Sequence, residues 1–176
     1  MPEELISSKE LFNGRVVRLR RVTVKKPSGE FSEREIVQHN DCIAVVPIDQ
    51  DNNVLLVKQF RTPAGKDLLE IPAGSIETGE NPEDCVRREL QEEIGYLPGT
   101  IIKLGGIYAA PGYCTEYLHL YLARDLKESR LVAEDTDEIE VVRVPLEQIP
   151  DLIKTGRICD GKSVSGLLRV ITENPG

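Results

Sequence analysis

The chain reads as an α/β protein, a mixed β-sheet with helices on its faces, and three observations point that way. Short runs rich in apolar and β-branched residues recur along it, bounded by clusters of Gly, Pro, Asp and Asn. One helical segment, Pro82–Ile94, interrupts them with its own start and stop signals. Two further helical patterns close the chain, near Leu146–Lys154 and Lys162–Thr172.

Taken in order, Arg15–Val24 and Phe31–His39 flank Lys26-Pro-Ser-Gly29, a turn with Pro and Gly where a hairpin needs them. Cys42–Ile48 and Val54–Phe60 flank Asp49–Asn53, a second hairpin. Leu68–Ile71 is a short strand running into Pro72-Ala-Gly74. In the helix Pro82–Ile94, Asn81 serves as N-cap and Pro82 takes the first helical position. Glu83 and Asp84 suit the positive end of the helix dipole, and Gly95 stops the helix. Strands follow at Ile101–Tyr108, Tyr117–Ala123 and Ile139–Val144. Residues 1–40 form an N-terminal β segment and 41–176 the main domain, with no repeats and no long linker.

Composition removes several classes of function. The net charge is −8, from 22 basic and 30 acidic residues, which disfavours binding to nucleic-acid backbones. It also means that a phosphate-bearing ligand needs local counter-charge. The longest apolar stretches, such as Tyr117–Ala123, fall far short of the roughly 20 residues a membrane helix requires. Met1–Glu10 has neither a basic n-region nor an apolar h-region, so a cytoplasmic location is expected. Cys42, Cys85, Cys114 and Cys159 form no C-x-x-C pair and read as free thiols. His39 and His119 are the only histidines, too few for a zinc hydrolase with histidine ligands. No G-x-S-x-G element is present, which argues against a serine hydrolase.

The chemistry concentrates in Gly74–Tyr96, GSIETGENPEDCVRRELQEEIGY. Gly74 is followed after five residues by Glu80, and after seven more by Arg88-Glu89-Leu90-Gln91-Glu92-Glu93-Ile94-Gly95-Tyr96. On a helix, Glu89, Glu92 and Glu93 stand at about 0°, 300° and 40°, from roughly 100° per residue. All three lie within an arc of about 100°, where like charges repel and destabilise a bare helix. Carboxylates crowded this way make sense around a divalent cation, since Mg²⁺ takes hard oxygen ligands. Arg88, four residues before Glu92, can pair with it. Cys85 and Val86 share the arc, so that face is not purely solvated.

This stretch resembles the box of the Nudix superfamily, G-x5-E-x7-R-E-U-x-E-E-x-G-U with U apolar, at all nine defined positions. A chance match at one start is on the order of one in a billion. The resemblance runs from about Asp41 to the C-terminal helix. It implies an α/β/α sandwich with a mixed sheet, preceded here by the N-terminal β-hairpin segment. It also implies hydrolysis of a nucleoside diphosphate linked to another moiety, with Mg²⁺ or Mn²⁺. By position, Glu89 and Glu93 would be the principal metal ligands. The carbonyl of Ala73 and the side chain of Glu92 would complete the cluster, and Glu80 would be an auxiliary ligand.

Within the superfamily the chain is similar to the ADP-ribose pyrophosphatases. Those enzymes resemble one another in a proline 16 residues past the last glycine of the box, and Pro111 takes that place after Gly95. Leu56–Ala64, Leu69–Gly79 and Gly156–Gly166 also look like that subfamily. Arg61 matches an arginine that contacts the substrate diphosphate, and Glu116 an acidic residue of the loop after the proline. Arg34, with Arg18, Arg20, Phe31 and Tyr113, is a candidate for contact with the nucleotide. The resemblance further implies a homodimer paired through residues 1–40.

One segment departs from the relatives. They carry a glutamate, proposed as the base for the attacking water, in an acidic loop before a late strand. Here Glu134-Asp-Thr-Asp-Glu-Ile139 occupies that place, and its glutamate positions fall on Asp135 and Asp137, with Glu134 and Glu138 beside them. Asp137 and Glu138 are the residues carried forward as base. The substrate expected is ADP-ribose. The rivals are another NDP-sugar, a dinucleotide or an oxidised nucleotide, and a non-catalytic ADP-ribose sensor.

Overall fold

A computed structural model describes residues 2–132 and 139–173 of the chain. Its contacts divide it into two units, 1–41 with 108–117, and 42–107 with 118–176. Among the described residues no helix is long and apolar enough to cross a membrane.

The first unit holds an antiparallel sheet of β1 (Glu4–Asn13), β2 (Arg18–Lys25) and β3 (Phe31–Gln38), in the order β1-β2-β3. The hairpin at Lys26–Gly29 forms as expected, with the Gly29 N–H donating to the Lys26 carbonyl at 2.9 Å. The expected strand Arg15–Val24 begins only at Arg18. Residues 14–17 instead turn the chain, closed by Gly14 N–H to Val17 O at 2.9 Å. β1 was not anticipated, because all ten of its residues are exposed and it lacks the alternation that marks a half-buried strand. In the second segment of this unit, the Ala110 carbonyl accepts from the N–H groups of Tyr113 (3.1 Å) and Cys114 (2.9 Å), so Pro111 sits in a tight turn.

The second unit contains two sheets. β7 (Ala73–Ser75), β4 (Cys42–Pro47), β9 (Tyr117–Glu128) and β8 (Tyr96–Tyr108) lie in the order β7-β4-β9-β8. β4 runs antiparallel to β7 and parallel to β9, so the sheet is mixed. β10 (Glu140–Pro145), β5 (Asn53–Arg61) and β6 (Lys66–Glu70) form an antiparallel sheet in the order β10-β5-β6.

All six residues of β4 are buried, as expected of a strand covered on both faces. Its side chains alternate between two cores. Ala44 and Val46 join Leu120, Leu122, Leu167 and Val170 beneath α3 (Gly161–Glu173). Ile43 and Val45 join Cys85, Val86, Leu90 and Tyr121 beneath α1 (Pro82–Glu89). Period-two alternation in the strand thus places one helix on each side of it, which is the α/β/α sandwich. A short helix α2 (Ile149–Lys154), entered through a 3₁₀ turn at Leu146–Gln148, replaces the single helix expected at Leu146–Lys154.

The helix expected over Pro82–Ile94 changes character partway. α1 ends at Glu89, and Leu90–Ile94 widens into a π-helical turn. That turn closes with the Gly95 N–H donating to the Leu90 carbonyl, Gly95 standing at φ 79°. Propensity gives no warning of such a turn, which is rare and often marks a functional site.

Candidate active site

The start of α1 is built by its sequence. The Asn81 side chain accepts from the Glu83 N–H at 2.9 Å, Pro82 fills the first turn, and Glu83 and Asp84 face the positive end of the dipole. The loop before it closes on itself, the Glu80 N–H donating to the Glu77 carbonyl (3.0 Å) and the Glu77 N–H to Glu80 Oε2 (2.9 Å).

α1 and the π-turn bring Glu89 and Glu93 against β7. Each is only 9% exposed. The Ala73 N–H donates to Glu93 Oε2 at 3.2 Å. Gly74 makes room for Glu89, since a Cβ on Gly74 would stand 1.9 Å from Glu89 Oε1. Burial raises the pKa of both carboxyls above the ordinary range. For Glu93 the burial acts together with the nearby charge of Glu89 and lifts it to about 8.

Arg88 organises the other side of the cluster. Its Nε and Nη2 bond the two oxygens of Glu80 at 2.8 and 3.0 Å. Its Nη1 reaches Glu89 Oε1 at 2.6 Å and Glu92 Oε2 at 3.2 Å. Nη2 also donates to the Ser75 carbonyl at 3.2 Å, which ties the helix to β7. The Arg88–Glu92 pairing expected from spacing is present, but the bidentate grip on Glu80 was not foreseen. It holds the Glu80 carboxyl down at about 2 and raises the Arg88 guanidinium. Cys85, packed beneath, donates its thiol to the Ser75 carbonyl at 3.5 Å, and burial pushes its pKa up, so it stays a thiol.

Arg61 ends β5 and forms a bidentate pair with Glu70 at the end of β6, Nε to Oε1 at 2.9 Å and Nη2 to Oε2 at 2.7 Å. Lys162, in the first turn of α3, donates to Glu70 Oε2 at 2.5 Å and to Asp160 Oδ1 at 2.9 Å. Burial by itself would raise the pKa of Glu70, but Arg61 and Lys162 outweigh it and hold the carboxyl below its ordinary value. Glu70, Asp160 and Lys162 escaped the sequence reading. Their signals were a lone acidic residue inside the apolar run Leu68–Ile71 and the two segments likened to the subfamily, Leu69–Gly79 and Gly156–Gly166, which contain all three.

Arg34, Pro111 and Glu116 belong to the first unit. The Arg34 guanidinium bonds Glu3 Oε1 and Ser32 Oγ, both at 2.6 Å, and the Glu33 carbonyl at 2.9 Å. Glu116 Oε1 lies 3.9 Å from His39 Nδ1. Asp137 and Glu138, the base candidates, lie outside the described residues. A cavity of about 640 Å³ lined by Asp49, Asn52, Tyr96 and Arg143 includes none of Glu80, Glu89, Glu92 or Glu93.

A mixed sheet between two helical layers, with a helix presenting buried carboxylates to a glycine-bearing strand, defines the class. Residues 38–165 match the NUDIX domain family, and the chain belongs to it. It is 37% identical over 166 residues to an ADP-ribose pyrophosphatase of Bacillus subtilis (strain 168), spanning 93% of this chain and 89% of that one. It is 38% identical over 164 residues to the methanol dehydrogenase activator of Bacillus methanolicus, with 92% and 89% covered. A GDP-mannose pyrophosphatase of Yersinia enterocolitica is 35% identical over 141 residues, with 74% and 73% covered. Among solved structures, an ADP compounds hydrolase superposes with a TM-score of 0.90 at 22% identity, covering 97% of this chain and 93% of that one, and it shares the fold.

Proposed function

We propose that this Nudix hydrolase cleaves the diphosphate linkage of ADP-ribose to AMP and ribose 5-phosphate with Mg²⁺, acting in the cytoplasm as a homodimer. The observation that carries the chemistry is the pair of buried carboxylates, Glu89 and Glu93, packed against β7. Two acids held near one another with raised pKa values are costly to ionise unless a cation joins them. The donor set is carboxylate and carbonyl oxygen, which fits Mg²⁺ and also Mn²⁺. Glu89 and Glu93 would hold the ion, with Glu92 and the Ala73 carbonyl completing the set and Glu80 as an auxiliary ligand. A bound cation supplies counter-charge for the diphosphate and lowers the pKa of nearby water.

The protein's own groups do the rest. Arg61 meets the diphosphate. Glu92 and Glu93 hold the reacting groups in place, and Asp137 or Glu138 takes a proton from the attacking water. The water oxygen bonds to one phosphorus, the bridging P–O bond breaks, and its electron pair leaves on the departing phosphate.

ADP-ribose is preferred because the full-length likeness to an enzyme named for that substrate accompanies Pro111. A second reading, hydrolysis of another nucleoside diphosphate sugar, is favoured by the likeness to a GDP-mannose pyrophosphatase. A substrate panel with identified products decides. ADP-ribose is expected to lead in kcat/KM, and a rank far behind GDP-mannose replaces the first reading with the second.

A further inference from the structure

Glu70 is 1% exposed and belongs to neither the Nudix box nor any base or substrate residue named so far. Burying a carboxylate is costly unless charge and hydrogen bonds compensate it. Glu70 has both in excess. One anion meets two cations, the Arg61 guanidinium through both oxygens and the Lys162 ammonium at the oxygen that Arg61 Nη2 also bonds. A pair that served stability alone would be replaced by apolar residues at little cost.

The Arg61 side of the arrangement also reaches solvent. The Arg61 side chain is 40% exposed, although the carboxylate it grips is 2% exposed. Arg61 Nη1 and one ammonium hydrogen of Lys162 keep no partner among the described residues. Glu70 precedes Ala73 by three residues, and the Ala73 N–H bonds Glu93. Asp160 orients Lys162 from the other side and accepts the Ser163 N–H at 3.1 Å, so the lysine is fixed to the start of α3.

We propose that Glu70 is a positioning residue that holds Arg61 and Lys162 together as a two-cation clamp for the substrate's diphosphate, which makes Lys162 a substrate-binding residue. The clamp rests on the hydrolase reading above. It deepens that reading by naming how a chain of net charge −8 presents positive charge beside its own glutamates. Arg61 pairs the diphosphate through its planar fork and Lys162 adds a compact point charge.

The test is steady-state kinetics of the full chain with Mg²⁺ and ADP-ribose. Glu70→Gln and Lys162→Met are each expected to raise KM about tenfold while kcat changes less than about threefold. The double variant should lose little more than the worse single one, because the groups act as a unit. Lys162→Arg should restore KM to within about threefold of wild type. Ser163→Ala is the structural control. It removes the 2.9 Å bond from the Ile71 N–H to Ser163 Oγ at the same β6–α3 seam and should lower Tm without moving KM. Unchanged KM in Glu70→Gln and Lys162→Met, or an equal rise in Ser163→Ala, overturns the clamp while leaving the hydrolase intact. If wild type ignores ADP-ribose, the substrate reading has failed, and the same variants are compared on the best diphosphate of the panel. Wild type that cleaves no panel member overturns both.

Discussion

Gly74 and Glu89 share one small volume. The glutamate's carboxylate lies where a side chain on residue 74 would begin, with Oε1 at 1.9 Å and Oε2 at 2.5 Å from an ideal Cβ. The glycine that opens the box is required because the Glu89 carboxylate is packed directly on its strand. Gly74→Ala is therefore expected to displace Glu89 and lower activity by roughly 10–100-fold, with a matching rise in the Mg²⁺ concentration needed for half-maximal rate. A Mg²⁺ titration of the rate checks it. Wild-type metal dependence in the alanine variant would show that Glu89 does not work from this position.

Glu93→Gln keeps the shape of the side chain and the space it fills, but removes a charge from the cluster. Turnover at saturating Mg²⁺ should fall by orders of magnitude, with the circular dichroism spectrum unchanged. Near wild-type turnover would remove Glu93 from the catalytic set.

The same carboxyl makes a prediction for stability in chelator, without divalent metal. Its folded pKa, about 8, lies above the ordinary 4.5, so between these values the folded chain binds more protons than the unfolded one. Stability then falls as pH rises from about 4.5 to about 8. Glu89, also raised by burial, adds in the same direction. Glu93→Gln should flatten this dependence and raise Tm at pH 8 by roughly 5 °C, and Mg²⁺ should flatten it in the wild type. A wild-type Tm in chelator that does not decline over this range contradicts the burial of a neutral Glu93.

Arg88 grips Glu80 with two nitrogens and touches Glu89 and Glu92 with the third. Lysine cannot reproduce that fork, so Arg88→Lys should lower kcat by about tenfold or more despite conserving the charge. Glu80→Gln should couple to it, with a double-mutant interaction of about 1–3 kcal/mol. Simple additivity of the two would mean that the pair does not act through the carboxylates.

β1 is an edge strand whose ten residues are all exposed, Leu5 at 62% and Phe12 at 58% among them. An exposed apolar edge of this kind invites pairing with another chain, and a second copy is the partner proposed. Sedimentation velocity at micromolar concentration should show a dimer, and Leu5→Lys with Phe12→Lys should shift it to monomer. A wild-type monomer with full activity rules out a site shared between copies.

The local parts of this molecule were readable because their causes are local. The Asn81 cap, Pro82, Gly95 and the glutamate spacing each act within one or two helical turns, and the unbroken apolar run Cys42–Ile48 marked a strand. That much identified the fold class and the Arg88–Glu92 pair from the order of residues alone. What the order could not decide depends on partners distant in sequence. Lys162 meets Glu70 across 92 residues, as Ile71 meets Ser163. β1 becomes a strand only because β2 offers it a hydrogen-bonding edge, with no burial to imprint a pattern. The π-turn at Leu90–Ile94 likewise appears where Glu89 and Glu93 settle against β7. Periodicity records which side of an element is buried, whereas tertiary packing chooses what lies against it, and at Arg61 that choice set a buried glutamate behind the arginine expected at the substrate.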